Sequence, residues 1–238
     1  MARLNEFGQP IGDSVPNWSP RPYPPAAPMQ GRLGRLEPLS AAQHAASLYE
    51  AFSLAPDGRL WTYVPDEPPQ SLQDMMAHIA AKAARADLVM NAILDPEDRA
   101  LGYSAFMRID PQIGSIEVGH VVFSPALQRS PLATEAMYLM MRQAFDELGY
   151  RRYEWKCDSL NAPSRRAAGR LGFKYEGIFR NATVLKGRNR DTAWFSIIAS
   201  EWPLVKAALE AWLDPANFDA KGRQVRCLEE IRTAVGHL

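Results

Sequence analysis

Apolar positions along the chain change period in a way that marks out one strand, a loop and a helix from Ile113 to Tyr150. β-Branched and aromatic residues dominate from Ile116 to Phe123, and Ser124 and Pro125 end the run as turn residues do. Strand alternation places Ile116, Val118, His120 and Val122 on one face and Glu117, Gly119, Val121 and Phe123 on the other, so one carboxylate looks out from a sheet surface. The short connection Pro125 to Arg129 leads to Ser130 and Pro131, an N-cap followed by a residue favoured at the first helical position. Met137, Met141, Ala144, Phe145 and Leu148 then follow helical spacing, with Gly149 as the stop. The first turn should leave backbone N–H groups free at Leu132, Ala133 and Thr134 beside the positive end of the helix dipole, which is an anion site on physical grounds.

Upstream, Arg32 to Pro38 reads as a strand, and Ser40 caps a helix carrying Ala45, Leu48 and Phe52. The loop from Asp57 to Pro69 holds Trp61, Tyr63, Asp66 and Glu67, and either lines a cleft or is a surface loop pinned by its aromatics. Ser71 caps a helix to about Ala86, followed by strands over Leu88 to Leu94 and Leu101 to Ile109. Downstream come a strand from Arg152 to Cys157 with Tyr153 and Trp155 on one face, and a short helix from Asn161 to Arg170 stopped at Gly172. A hairpin follows, Lys174 to Leu185 and Arg190 to Ala199 joined through Lys186 to Asn189, then helices from Glu201 to Leu213 and Gln224 to Val235. This order implies an α/β sheet covered on both faces. Residues 1 to 30 contain seven prolines, a density neither helix nor central strand accepts. They form either a disordered tail or an extended arm, anchored by residues such as Trp18, on the domain or on a second subunit of a homodimer.

Equal numbers of basic and acidic residues argue against bulk nucleic-acid binding, which needs a broad basic surface. No apolar run approaches a membrane span, and the start lacks a signal-peptide pattern, so a cytoplasmic protein is expected. Cys157 and Cys227 have no metal-ligand spacing and are expected as reduced thiols, and no metal is expected.

Gln128, Arg129, Ser130, Pro131, Leu132 and Ala133 resemble the pyrophosphate loop of the GNAT superfamily of acetyl-CoA-dependent N-acetyltransferases, with its pattern Gln/Arg, any, any, Gly, any, Gly/Ala. Asn161, Ser164, Gly172 and Phe173 resemble its second motif, and Asp191 to Trp202 resembles the RimJ/RimL-like (ribosomal-protein N-acetyltransferase-like) branch, whose similar sequences modify varied amines. The resemblance implies a central mixed, mostly antiparallel sheet of about seven strands flanked by helices on both faces. It divides the chain into an arm at 1–30, the acetyltransferase domain at 31–202 and a helical extension at 203–238. Pro131 stands where the family usually has its first glycine, so the loop has one N–H fewer.

The activity so implied is direct transfer of an acetyl group from acetyl-CoA to a primary amine, either a protein N-terminus or a small molecule. The alternative is a non-catalytic acyl-CoA-binding or interaction protein that keeps the fold. Glu117 is the candidate base, directly or through a water, or else a strand residue paired with a basic neighbour. Backbone groups of Val121, Val122 and Phe123 would hold the pantetheine arm and an oxyanion. The family's tyrosine position is Ala168, leaving Ser164 as the acid or the cap of its helix, and Asn161 is implied to bond the pantetheine amides. Between Arg151 and Arg190 stand eleven Lys or Arg against three Asp or Glu, either a phosphate-binding surface with Arg129, Arg165, Arg166 and Arg170 or a solvated face. His120 would point away from Glu117 unless a bulge reverses the facing. Cys157 is either a buried apolar group or an acyl carrier.

Overall fold

The eight strands of the main sheet run from two residues at one edge to twelve at the other. In the computed structural model, which describes residues 3–236, β5 (Val89–Leu94), β6 (Ala100–Asp110), β7 (Ser115–Phe123) and β8 (Arg152–Asp158) form its centre. The order is β3 (Met29–Gln30), β4 (Arg35–Pro38), β5, β6, β7, β8, β10 (Arg188–Ile198), β9 (Lys174–Leu185). Only β7 and β8 run parallel; every other neighbouring pair is antiparallel. The sheet has one strand more than the seven expected from the sequence, and the strand expected from Arg32 begins at Arg35. A separate ribbon pairs β1 (Arg3–Leu4) with β2 (Pro10–Ile11).

Helices cover both faces because alternate strand residues feed two separate cores. Met90, Ala92 and Leu94 pack with Leu48 and Phe52 of α1 (Ala41–Ser53) and with Met75 and Ile79 of α2 (Leu72–Ala83). Val89 and Ile93 face the other way, into the core built on α3 (Pro131–Arg142) and α5 (Trp202–Leu213). The α3 helix continues through a π turn at Gln143–Glu147 and ends at Gly149, whose φ of +70° suits glycine. Ser71 caps α2 by accepting the Asp74 N–H, as its position suggests, whereas Ser40 makes no side-chain cap bond. The hairpin loop is tighter than expected. Leu185 pairs with Arg188, leaving Lys186 and Gly187 with φ of +50° and +71°, the positive values a two-residue primed turn requires. The last helix, α6 (Leu228–Val235), starts four residues later than its apolar pattern suggests, with Cys227 and Glu230 in a capping box.

The proline-rich segment is an arm laid on the domain. Trp18 donates its indole N–H to the Gln112 carbonyl at 2.8 Å, lies between Arg21 and Arg151, and sits against Gly114. Tyr150 holds the Pro22 carbonyl at 3.2 Å. Before Trp18 the arm is exposed, Phe7 and Leu4 included.

Candidate active site

A bulge in β7 creates the site. Tyr103 pairs with Val122 but Ala105 pairs with Gly119, so β7 spends one extra residue around His120, which adopts φ +49°. Side-chain facing reverses there, correcting the simple alternation read from the sequence. Ile116 and Val118 enter the α3-side core, Val122 joins the core under α1 and α2, and Val121 and Phe123 pack on the α3 side. His120 faces α2, where its Nδ1 lies 3.3 Å from Lys82 Nζ. Pairing of β7 with β8 ends at Val118 and Trp155, so the two strands part beyond that point.

The opening leads into a cleft of about 1710 Å³, above the usual range for a drug-sized pocket and roomy enough for a long ligand and a second molecule. Along one wall lie the β7 segment Val121 to Phe123 and the phosphate-loop residues Gln128, Arg129 and Ser130. Ser130 Oγ accepts the Ala133 N–H at 3.1 Å and donates to the Leu127 carbonyl at 2.7 Å. The cap therefore consumes one of the three N–H groups expected to be free. The Leu132 side chain is in the core, so this residue meets the cleft, if at all, by its backbone. Gln128 donates its amide to the Phe123 carbonyl at 2.9 Å, tying loop to strand.

Across the cleft stands α4 (Ala162–Leu171), whose N-cap is Asn161: its Oδ1 accepts the Ser164 N–H at 3.1 Å. This corrects the reading of Ser164 as the cap. With the helix capped by its neighbour, the Ser164 hydroxyl accepts the Trp155 indole N–H at 2.9 Å and keeps its own proton to donate. Asn161 and Ser164 both line the cleft, as do Arg166 and Arg170. Arg170 reaches the Thr134 hydroxyl at 3.0 Å and stacks over Trp212, bridging α4 to the first turn of α3; burial pulls its guanidinium below its usual range. Arg165 points elsewhere, to the Ser159 carbonyl and over Tyr175.

The floor is charged. Glu117 is buried, and its Oε2 receives both Arg108 at 2.8 Å and Lys156 at 2.9 Å. It does not stand exposed on the strand, and it does have the basic partners the sequence suggested. Lys156 also meets Glu154 at 2.6 Å and lies over the Trp194 ring. Burial pushes the Glu154 carboxyl up, but hydrogen bonds from Lys156 and Arg152 outweigh it and hold the group below its ordinary range. Burial pushes the Cys157 thiol up, against the opposing pull of Ser164, so the thiolate an acyl carrier needs is disfavoured. The 57–69 loop supplies the remaining wall through Leu60, Tyr63 and Val64. Its Asp66 binds the buried Lys82 at 2.7 Å, and the hairpin tip pins it, Lys186 to the Trp61 and Asp66 carbonyls and Arg188 to that of Thr62.

Sequence reasoning missed Arg108, Lys156 and Lys82. Lys156 and Arg190 belong to the noted basic surplus, but nothing local distinguishes Arg108, which a bulge at φ +43° aims at Glu117, or Lys82, which becomes buried only through Asp66.

Parted parallel strands, a capped helix start and a charged floor frame the cleft, and comparison with known proteins gives the family. The chain belongs to the GNAT acetyltransferases: the family described as "Acetyltransferase (GNAT) domain" matches residues 35–174. A GCN5-related N-acetyltransferase structure from Brucella melitensis is 45% identical, covering 92% of this chain and all (100%) of that one at a TM-score of 0.90. A probable GNAT acetyltransferase from Chromobacterium violaceum is 41% identical over 82% of this chain and 99% of its own, at 0.74. Among curated proteins, an uncharacterized N-acetyltransferase, p20, of Bacillus licheniformis is 29% identical over 46% of this chain; the match spans 61% of that relative's length. Among the described residues no helix is long and apolar enough to cross a membrane.

Proposed function

We propose that this chain transfers an acetyl group from acetyl-CoA to a primary amine by direct attack with both substrates in the cleft. The observation that carries the reading is Glu117 in the lining of the cleft with both cations on its Oε2, so that among the described residues no cation holds Oε1. The residues present fit a long polyanionic thioester, with exposed Arg129 and Arg166 and the bridging Arg170 around the α3 start, and a channel between β7 and β8 for its arm. Acetyl-CoA supplies the activated acyl carbon. Glu117 Oε1, directly or through a water, takes the proton the amine gives up as the C–N bond forms. A backbone N–H of β7 beyond Val118 meets the charge gathering on the carbonyl oxygen. Ser164 gives its hydroxyl proton to the sulfur as the C–S bond breaks, and is reprotonated from solvent as Glu117 releases the amine's proton to it.

The acceptor is either a protein N-terminus or a small amine. The resemblance of Asp191 to Trp202 to the RimJ/RimL-like branch favours the former. An 18% identical structure from Salmonella typhimurium, titled as modifying the N-terminal serine of ribosomal protein L7/L12, shares the fold alone. A second reading, binding of acyl-CoA without turnover, draws on Pro131, which has no N–H at the helix start, and on the fully buried Ala168 in the tyrosine position. Calorimetric titration with acetyl-CoA, followed by thiol-release assays on an amine panel, separates the two. Transfer predicts turnover in wild type and a loss of roughly tenfold or more in kcat for Glu117→Gln. Tight binding with no turnover over a broad panel establishes the second reading; no binding at millimolar ligand overturns both.

A further inference from the structure

Among the described residues Arg190 is a partly shielded cation of the cleft with no carboxylate partner. It lines the cavity from β10, half-buried, at the point where the register with β9 breaks between Arg190 and Thr192. Its Nε is buried without a hydrogen-bond partner, and its guanidinium makes no ion pair among the described residues. The other shielded cations near the floor are neutralised: Lys156 by Glu117 and Glu154, Lys82 by Asp66, Arg152 by Glu154 and Glu176. Arg129 and Arg166 also lack carboxylate partners, but they are exposed and water serves them. A guanidinium donor withdrawn from water and left unmatched costs free energy, which a ligand oxygen would recover.

Its position says what kind of ligand. Arg190 stands two residues before Thr192, which pairs with Asp158 at the end of β8, and lines the same cleft as Cys157, Asp158 and Asn161; its charge reaches the Cys157 thiol, on which Ser164 also acts. That puts it on the Ser164 side of the cleft, where the thioester sulfur lies if transfer proceeds as proposed. We infer that Arg190 is a specificity residue that binds a carboxylate carried next to the reacting groups, on either the acceptor amine or the acyl chain. An Arg fork matches a carboxylate through two parallel N–H bonds, which a lysine cannot reproduce. The inference rests on the transfer reading and restricts its substrates: amines of the amino-acid type, or acyl groups of the dicarboxylic type.

The test compares wild type, Arg190→Gln and Arg190→Lys. Calorimetry measures binding of acetyl-CoA and succinyl-CoA, and thiol release measures kcat/KM for amino acids against their amides. The expected result is a wild-type preference for one carboxylate-bearing series that falls roughly tenfold to hundredfold in Arg190→Gln, with acetyl-CoA affinity unchanged and the melting temperature unchanged or raised. Arg190→Lys should keep part of the preference. Loss among the acceptors places the carboxylate on the amine; loss between the two thioesters places it on the acyl chain. No wild-type preference in either series, or an equal fall for all substrates, overturns the inference and leaves the transfer reading standing. A wild type that binds neither thioester overturns both, and the titration alone reveals it.

Discussion

Protonating His120 should cost this protein stability over a defined acid range. The ring is enclosed by Lys82 from α2, with Asp66, Arg85 and Asp87 as the other charged groups facing it. Burial first, then Lys82, pushes its pKa down from 6.5 to about 4. A folded pKa below the unfolded one means the unfolded chain binds more protons between those values, so the contribution is intact above about 6.5 and lost as pH falls toward about 4. At 1.36 kcal/mol for each pH unit the ceiling is roughly 3 kcal/mol, and partial opening of the ring to the cleft lowers the expectation to roughly 1–2 kcal/mol. His120→Asn removes the titration and suits the left-handed backbone at φ +49°. Urea unfolding of both proteins from pH 7 to pH 4 gives the difference, in which carboxylates such as Glu176 cancel. Wild type should lose roughly 1–2 kcal/mol more than the variant. Identical pH dependence in the two would refute the argument, and a steeper fall in the variant would reverse its sign.

Ser130→Ala should cost about 1 kcal/mol in urea unfolding and weaken acetyl-CoA binding, since one hydroxyl both caps α3 and holds the Leu127 carbonyl; unchanged affinity would detach the cap from the cofactor site. Trp18→Ala should free the arm, seen as faster proteolytic clipping between residues 1 and 30, because its indole hydrogen bond to the Gln112 carbonyl and its contact with Arg151 hold the arm to the domain. Tyr153→Phe should leave stability unchanged or raise it by about 1 kcal/mol, because the hydroxyl is buried without a partner; a loss above that would reveal an unseen partner.

Periodicity revealed most of the fold because most elements here bury one face. The strand ending at Leu94 and the helices capped by Ser71 and Ser130 follow their patterns to within a few residues. What stayed hidden depends on distant partners. The two-residue β3 is a strand only because Met29 and Gln30 find Leu36 and Arg35. The facing of His120 turns on one extra residue against β6, which no local signal announces. The anion loop was legible in Ser130 and Pro131, whereas the burial of Glu117 needed Arg108 and Lys156 from neighbouring strands.

The hairpin tip also sets when the cleft can exist. Lys186 and Arg188 bond to carbonyls 120 to 126 positions earlier in the chain. During synthesis from the N-terminus, α1, α2 and β4 to β7 are complete long before those side chains are made. Until residue 188 has emerged, the 57–69 loop lacks these bonds, and the lining residues from Trp212 to Glu229 are made later still. A nascent chain can thus acquire most of its sheet while having no place to hold a substrate, and ligand added during refolding should rescue only the final step of assembly.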